Sequence, residues 1–529
     1  MLYYKQKTLG IVGAGPKGIA VAIKAKVLEE FGYPVDRVIL IEKNGAGANW
    51  SGNFGYTNGK MKLGTSPEKD VVFPIETDVG DVQMNERIHK RLLQFTWTAF
   101  LVQTHRFSDW VDRGRPAPCH QLWSLYLQWV SEQLKPEASI VKAEVVGIDL
   151  SIDNNQWELT LKGSSIKTLS VDRLMLTGPG KTRKDFLVSD NGQLTQEIYD
   201  LESFWSALIT KKFSAKSRIA IIGAGENAAS VLLALSEYSP ELRIDIISPK
   251  GFISTRAEGF YENQIYSQPE RNHWKNIELS DRIDFIERTD LGVFSTHAMS
   301  ILNEQIQHHI VPGRVIGVHN DGASLLVQVE YGKQVTTRNY DQIILATGFD
   351  QISMLKSILS KRALKVLEES VGSPLIQREI ASLIQSDLSI KNMKPSLHLP
   401  MLAGLMQGPG FGNLSCLGRL SDRIVIPSIF EKNKYNSSTI NALESTSTQC
   451  PNSNSDHCDL SNQIVQTNLS VQRIQVNSLT TAETQKLFEK YPKQSIEIKT
   501  LNCTLTSSMK SSNGSLSETN IINNVEANS

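Results

Sequence analysis

The chain has little cysteine. Its five cysteines are an odd count, and no two stand as Cys-x-x-Cys. That argues against a disulfide framework, a redox dithiol or a zinc ribbon. Neither charge is in excess: 55 Lys plus Arg balance 55 Asp plus Glu. No global field therefore draws nucleic acid or an anionic membrane. Long apolar runs are missing too, and the longest fall well short of the ~18 residues of a membrane helix. The opening, MLYYKQKTLGIVGAG, enters a strand with no apolar leader core or cleavage site. Together these absences predict a cytoplasmic protein with no nucleic-acid or membrane partner. At 529 residues, two or three domains with sizeable cores are expected.

What is present is glycine in two matching places. TLGIVGAGPKGIAVAIKAKVL (8–28) and SRIAIIGAGENAASVLLALSEYSPELRIDIISPK (217–250) each read as strand, glycine turn and helix. Between them, SIVKAEVVGIDL and QWELTLKG alternate as hairpin strands. RLLQFTWTAFLVQTHRFSDW and HQLWSLYLQWVSEQL read as helical, with Trp97, Trp110, Trp123 and Trp129 as core. Lone His120 reads as structural rather than as a base. VDRLMLTGPGK and YDQIILATGFD are buried strands that each end in a Thr-Gly turn.

The fold class expected is α/β, with two Rossmann-like dinucleotide-binding domains, the second inserted into the first. The boundaries are 1–212 and 341–433 for the first domain and 213–340 for the second. Residues 434–529 are rich in Ser, Asn, Thr and Gln and lack the apolar content to offset chain entropy. They are expected to form a mostly disordered tail. TAETQKLFEKYPKQ is its one helix-like piece, and Cys450, His457 and Cys458 do not amount to a metal site.

In the first turn, Gly13, Gly15 and Gly18 fill the G-x-G-x-x-G frame. The first allows a tight turn, the second lets backbone approach a pyrophosphate, and the third lets helix pack on strand. Glu42 ends the next strand 24 residues after Gly18, where a carboxylate accepts ribose hydroxyls. In the second turn, Gly223, Gly225 and Ala228 fill the frame, with Glu226 and Asn227 between. No acid follows at the ribose position. Ser248, Lys250 and Arg256 stand there instead and favour an adenosine 2′-phosphate, hence NADPH. Two dinucleotides held at once imply a flavin beside NADPH, so the first turn is assigned to FAD. Without a cysteine pair, a disulfide reductase is disfavoured. A monooxygenase needs no catalytic side-chain motif, and no catalytic residue is assigned.

GAGPKG, GANWSGNFGYTNGKMKLGTSPEKDVVFP, GAGENAAS, GFYENQIYS, ERTDLGVFS and QGPGFGNLSCLGRLSDR occur in this order from about residue 8 to 430. In them the chain resembles the flavin-dependent N-hydroxylating monooxygenases of siderophore synthesis. The resemblance implies that L-lysine, NADPH and O2 give N6-hydroxylysine through a C4a-hydroperoxyflavin. It also implies roles for residues. Trp50 and Met61 bracket a loop over the flavin, and Leu414 touches it. Lys69 pairs with the substrate α-carboxylate, Asn263 lies at the amino-acid site, and Ser415 contacts the substrate. Asp290, grouped with the NADPH residues, stands where ornithine enzymes have asparagine.

L-Ornithine N5-hydroxylation stays open, because one methylene is worth only ~1–3 kcal/mol in a pocket. A dinucleotide-binding sensor without turnover is the remoter alternative, and a homo-oligomer rests on analogy alone. Truncation after residue 433 is expected to leave flavin content and turnover nearly unchanged. Loss of flavin or of solubility in that variant would show instead that the tail packs on the body.

Overall fold

The computed structural model describes residues 6–430, apart from 55, 135–139, 185, 187–196, 211–212, 215, 306–307, 321 and 323. The tail, with its helix-like piece and its Cys450, His457 and Cys458, lies outside the described residues.

Two all-parallel sheets organise the molecule. The first has the strand order Leu397–His398, Arg173–Leu176, Thr8–Val12, Arg37–Ile41, Ile140–Val141. Its central strand TLGIV is a short apolar run, as a strand covered on both faces must be. The helix Pro16–Glu30 follows the glycine turn, with proline in its first turn, where the missing N–H costs nothing. Eleven of its fifteen residues are buried.

The second sheet repeats the plan, in the order His308–Pro312, Arg243–Ser248, Arg218–Ile222, Gln342–Leu345, Ile198–Tyr199. The helix Glu226–Tyr238 leaves its glycine turn. One face of this sheet packs on Phe204, Trp205, Leu232 and Leu235. The other packs on the antiparallel strands Arg314–Asn320, Leu325–Tyr331 and Gln334–Tyr340.

The expected boundaries need correction. The strand of YDQIILATGFD does not return to the first sheet: Gln342–Leu345 pairs in parallel register with Ile219–Ile222. Ile198–Tyr199 joins the same sheet beyond it. The inserted domain thus begins before 212 and ends after 340. The chain crosses between the domains on a short antiparallel ribbon, Lys181–Thr182 against Phe349–Asp350. The reason is non-local. An apolar strand ending in Thr-Gly fits either parallel sheet, and only the pairing partner chooses.

The expected hairpin forms, with Glu144–Leu150 antiparallel to Trp157–Lys162. The aromatic-rich stretch is helical but broken. Thr96 ends one turn and caps Trp97–Gln103 by accepting the Ala99 N–H. Trp97, Trp110 and Trp123 are buried and Trp129 packs against the same core, as expected. No helix among the described residues is long and apolar enough to cross a membrane. Among them, too, no cluster of His, Cys, Asp and Glu is arranged to hold a metal.

Candidate active site

The two glycine turns have the geometry that dinucleotide phosphates require. Gly13 has φ +111°, and a Cβ there would lie 2.2 Å from Thr177 Oγ1. A Cβ on Gly18 would lie 2.3 Å from the carbonyl oxygen of Gly13. At Gly15, by contrast, nothing beyond the chain neighbours lies within 4 Å. The turn is closed where helix meets strand and open where a pyrophosphate would approach. The second turn repeats this. Gly223 has φ +116° with Ala346 O at 2.3 Å from a notional Cβ, while Gly225 meets nothing nearer than 3.7 Å. Glu42 accepts the Ala14 N–H (3.3 Å) and the Asn44 N–H (3.1 Å), which holds its carboxylate beside the first turn. The residues present fit FAD at the first turn and NADPH at the second.

Between the two domains lies a cavity of about 280 Å³. Trp50, Lys69, Glu226, Asn227, Arg256, Asn263, Asp290, Leu414 and Ser415 all line it. These residues come from segments far apart in the chain. Lys69 Nζ donates to Asn263 Oδ1 at 2.5 Å, so a first-domain loop meets a helix of the inserted domain. The Asn263 amide is oriented by donating from Nδ2 to the carbonyls of Glu258 (2.8 Å) and Gly259 (3.0 Å). The Lys69 loop is fixed by its neighbour Asp70. That buried carboxylate accepts the Trp97 N–H (2.8 Å) and the Val72 N–H (3.1 Å), and burial raises its pKa to about 7. Burial also lowers the Lys69 pKa, with Glu258 opposing.

Met61 packs against the core of the inserted domain and is not among the cavity-lining residues. The three groups expected around a 2′-phosphate divide. Ser248 is buried at its strand end and Lys250 stands half-exposed, 3.9 Å from Glu287. Arg256 turns into the cavity, donating to Gly64 O (3.1 Å) and lying 3.7 Å from Glu226. Ser415 is buried, and its N–H donates to Asn413 Oδ1.

Sequence reasoning missed Tyr56, Thr57, Glu258 and Tyr266 in the cavity wall. Tyr56 and Thr57 fall in the long Gly-Asn-rich segment and Tyr266 in GFYENQIYS, both singled out as whole motifs. His120 also lines the cavity, edge-on to Trp50 at 4.8 Å, with Nδ1 2.8 Å from Thr57 Oγ1. Burial lowers its pKa to about 4, so the ring is neutral and weakly basic at neutral pH.

L-Lysine N6-monooxygenase MbtG of Mycobacterium tuberculosis is 37% identical over 433 residues, 81% of this chain and 96% of that protein. The chain belongs to the L-lysine 6-monooxygenase/L-ornithine 5-monooxygenase family. Residues 92–351 match the family's own sequence pattern. The solved lysine monooxygenase NbtG of Nocardia farcinica, described for the conformation of its NADPH domain, superposes with TM-score 0.69 at 35% identity, covering 79% of this chain and all of that one. The Kutzneria ornithine N-hydroxylase KtzI, solved with reduced FAD, NADP+ and L-ornithine, shares the fold at TM-score 0.61 and 15% identity, covering 81% and 100%. Family membership explains why one chain carries two such turns, since this chemistry brings two dinucleotides and an amino acid together.

Proposed function

We propose that this protein hydroxylates the side-chain amine of L-lysine, using FAD, NADPH and O2, as a step in making a hydroxamate siderophore in the cytoplasm. The observation that carries the reading is the Lys69–Asn263 contact across the two domains, inside a cavity that Glu226 and Asn227 of the second glycine turn also line. The 37% identity to a lysine enzyme favours lysine over ornithine.

When bound, FAD supplies oxygen activation and NADPH the hydride. The chain's own residues position and shield. Lys69 offers a half-desolvated ammonium to the substrate α-carboxylate, because a buried, unpaired carboxylate is costly. Asn263, its orientation already locked, hydrogen-bonds the same end of the amino acid. Trp50 and Leu414 supply apolar walls that exclude water, and Ser415 adds a polar contact. Held in this way, the substrate presents its amine end for reaction.

The test is purified protein with NADPH and separate L-lysine and L-ornithine, scored by mass spectrometry for hydroxylamine product rather than by NADPH loss. N6-hydroxylysine is the expected product. N5-hydroxyornithine as main product would replace lysine by ornithine. NADPH oxidation with neither product would overturn the reading.

Nucleotide choice is a second expectation. Lys250 is the cation that remains at the strand end, 3.9 Å from Glu287, and it supports preference for the 2′-phosphate. NADPH should outperform NADH in kcat/KM, and Lys250→Glu should narrow the gap on the order of tenfold. Equal efficiency with NADH in the unmodified protein would remove the assignment.

A further inference from the structure

A lysine side chain reaches this cavity as an ammonium, with pKa near ~10.4, and an ammonium has no lone pair to receive oxygen. The cavity must take its proton. Four carboxylates line it: Glu226, Glu258, Glu262 and Asp290. Three are already engaged. Glu226 accepts the Ser295 N–H (2.7 Å) and lies 3.7 Å from Arg256. Glu258 accepts the Thr296 hydroxyl (2.5 Å), and Glu262 pairs with Arg288 (3.0 Å). Asp290 differs. Among the described residues its carboxylate takes neither a hydrogen bond nor an ion pair, and only its backbone N–H is bonded, to Ile286 O (2.8 Å). Two further cavity groups with proton-transfer chemistry are already engaged. His120 is tied to Thr57, and the Tyr266 hydroxyl is bonded to Thr289 Oγ1 (2.8 Å).

We infer that Asp290 is the proton acceptor for the substrate's ε-ammonium, which makes it a catalytic residue of the hydroxylation proposed above. The step is one proton transfer: R–NH3+ and the Asp290 carboxylate become R–NH2 and the Asp290 carboxylic acid. No electrons move, and the amine gains the lone pair it needs.

The charged surroundings suit the task. Burial raises the Asp290 pKa, and Glu226 adds to this. Arg256 and Lys17 pull the other way, Lys17 being itself lowered by burial to about 8. Tyr266 also lies within electrostatic reach and stays neutral. Lys17 begins the helix of the first glycine turn and donates to Gly412 O (3.0 Å), two residues before Leu414. Asp290 therefore works beside the first-domain turn. Arg256 acts electrostatically on both Asp290 and Lys69, the residue for the other end of the amino acid. An asparagine, which cannot accept a proton at neutral pH, would not do this work.

The experiment compares the FAD-loaded protein with Asp290→Asn and Asp290→Glu, measuring hydroxylysine formation from pH 7 to 9. In the unmodified protein, kcat/KM for lysine should be nearly flat across this range. In Asp290→Asn it should fall about 100- to 1000-fold at pH 7.5. It should then climb about tenfold per pH unit, following the free neutral amine. Asp290→Glu should restore the flat profile. A lysine analogue fluorinated beside the ε-carbon, whose amine is largely neutral at the assay pH, should bring Asp290→Asn to within about tenfold of the unmodified protein. The rate at which NADPH bleaches the flavin should stay within about twofold. If Asp290→Asn keeps the flat profile, the inference fails and the hydroxylation reading stands. If bleaching slows while the lysine profile is unchanged, Asp290 serves the nucleotide and the inference also fails. If the unmodified protein makes no hydroxylysine, both readings fall together.

Discussion

Lys69→Ala should lower kcat/KM for lysine by about 2–5 kcal/mol, a factor of tens to thousands, and mostly through KM. The range is that for removing one partner of a buried, hydrogen-bonded charge pair. Here the other partner is the substrate carboxylate, which enters a cavity between two domains. Lys69 is set for it in three ways. Asp70 anchors its loop, the Asn263 side chain receives its ammonium, and burial has already removed part of its water. Flavin reduction by NADPH does not involve the amino acid and should be almost untouched. Reducing equivalents should then appear as H2O2 rather than as hydroxylysine. Stopped-flow reduction and hydroxylysine yield, measured side by side, check this. Normal coupling would remove Lys69 from the amino-acid site. Slow reduction with normal lysine affinity would move it to the NADPH side.

Asp422→Ala should cost about 3–5 kcal/mol of stability, a large share of the ~5–15 kcal/mol typical of a folded protein. Lys24, on the helix of the first glycine turn, is 1% exposed, and its Nζ lies 2.6 Å from Asp422 Oδ1. Asp422 sits on the helix over 417–430. The Thr77 hydroxyl donates to the same carboxylate at 3.0 Å and accepts from Lys24. Removing the carboxylate leaves an ammonium buried with only a hydroxyl for company. Urea unfolding should show a lower midpoint with an unchanged slope. The double replacement Lys24→Met with Asp422→Leu should recover most of the loss, because it removes both charges together. A midpoint unchanged in Asp422→Ala would show that the pair contributes nothing. The aspartate of LSDR in the motif QGPGFGNLSCLGRLSDR is on this account a structural clamp, tying the chain's last described helix to its first.

How far the molecule could be read in advance depended on the range of the interaction. Strand, turn and helix at 8–28 and 217–238 were legible because their determinants are local. An apolar run favours a buried strand, and glycine alone tolerates φ near +110° at positions 13 and 223. Lys69 and Asn263 were legible as candidates by resemblance, as members of motifs, but not as neighbours.

The sequence by itself therefore determined two dinucleotide turns, a chain without a Cys-x-x-Cys pair, and a short list of polar residues, Lys69, Asn263 and Ser415, that come to line one cavity. Tertiary structure decided what depends on pairing between distant segments. Gln342–Leu345 joined the second sheet because strand partnership is settled by neighbouring strands, not by the strand's own residues. Arg256 went to the cavity and Lys250 to the surface, although only five residues separate them, because the strand Ser254–Thr255 just before Arg256 pairs with Val293–Phe294. Ser295, Thr296 and Arg288 engage the other three cavity carboxylates, and among the described residues Asp290 is the one without such a partner. Local chemistry sets what each residue is able to do, and packing sets which partner remains for it.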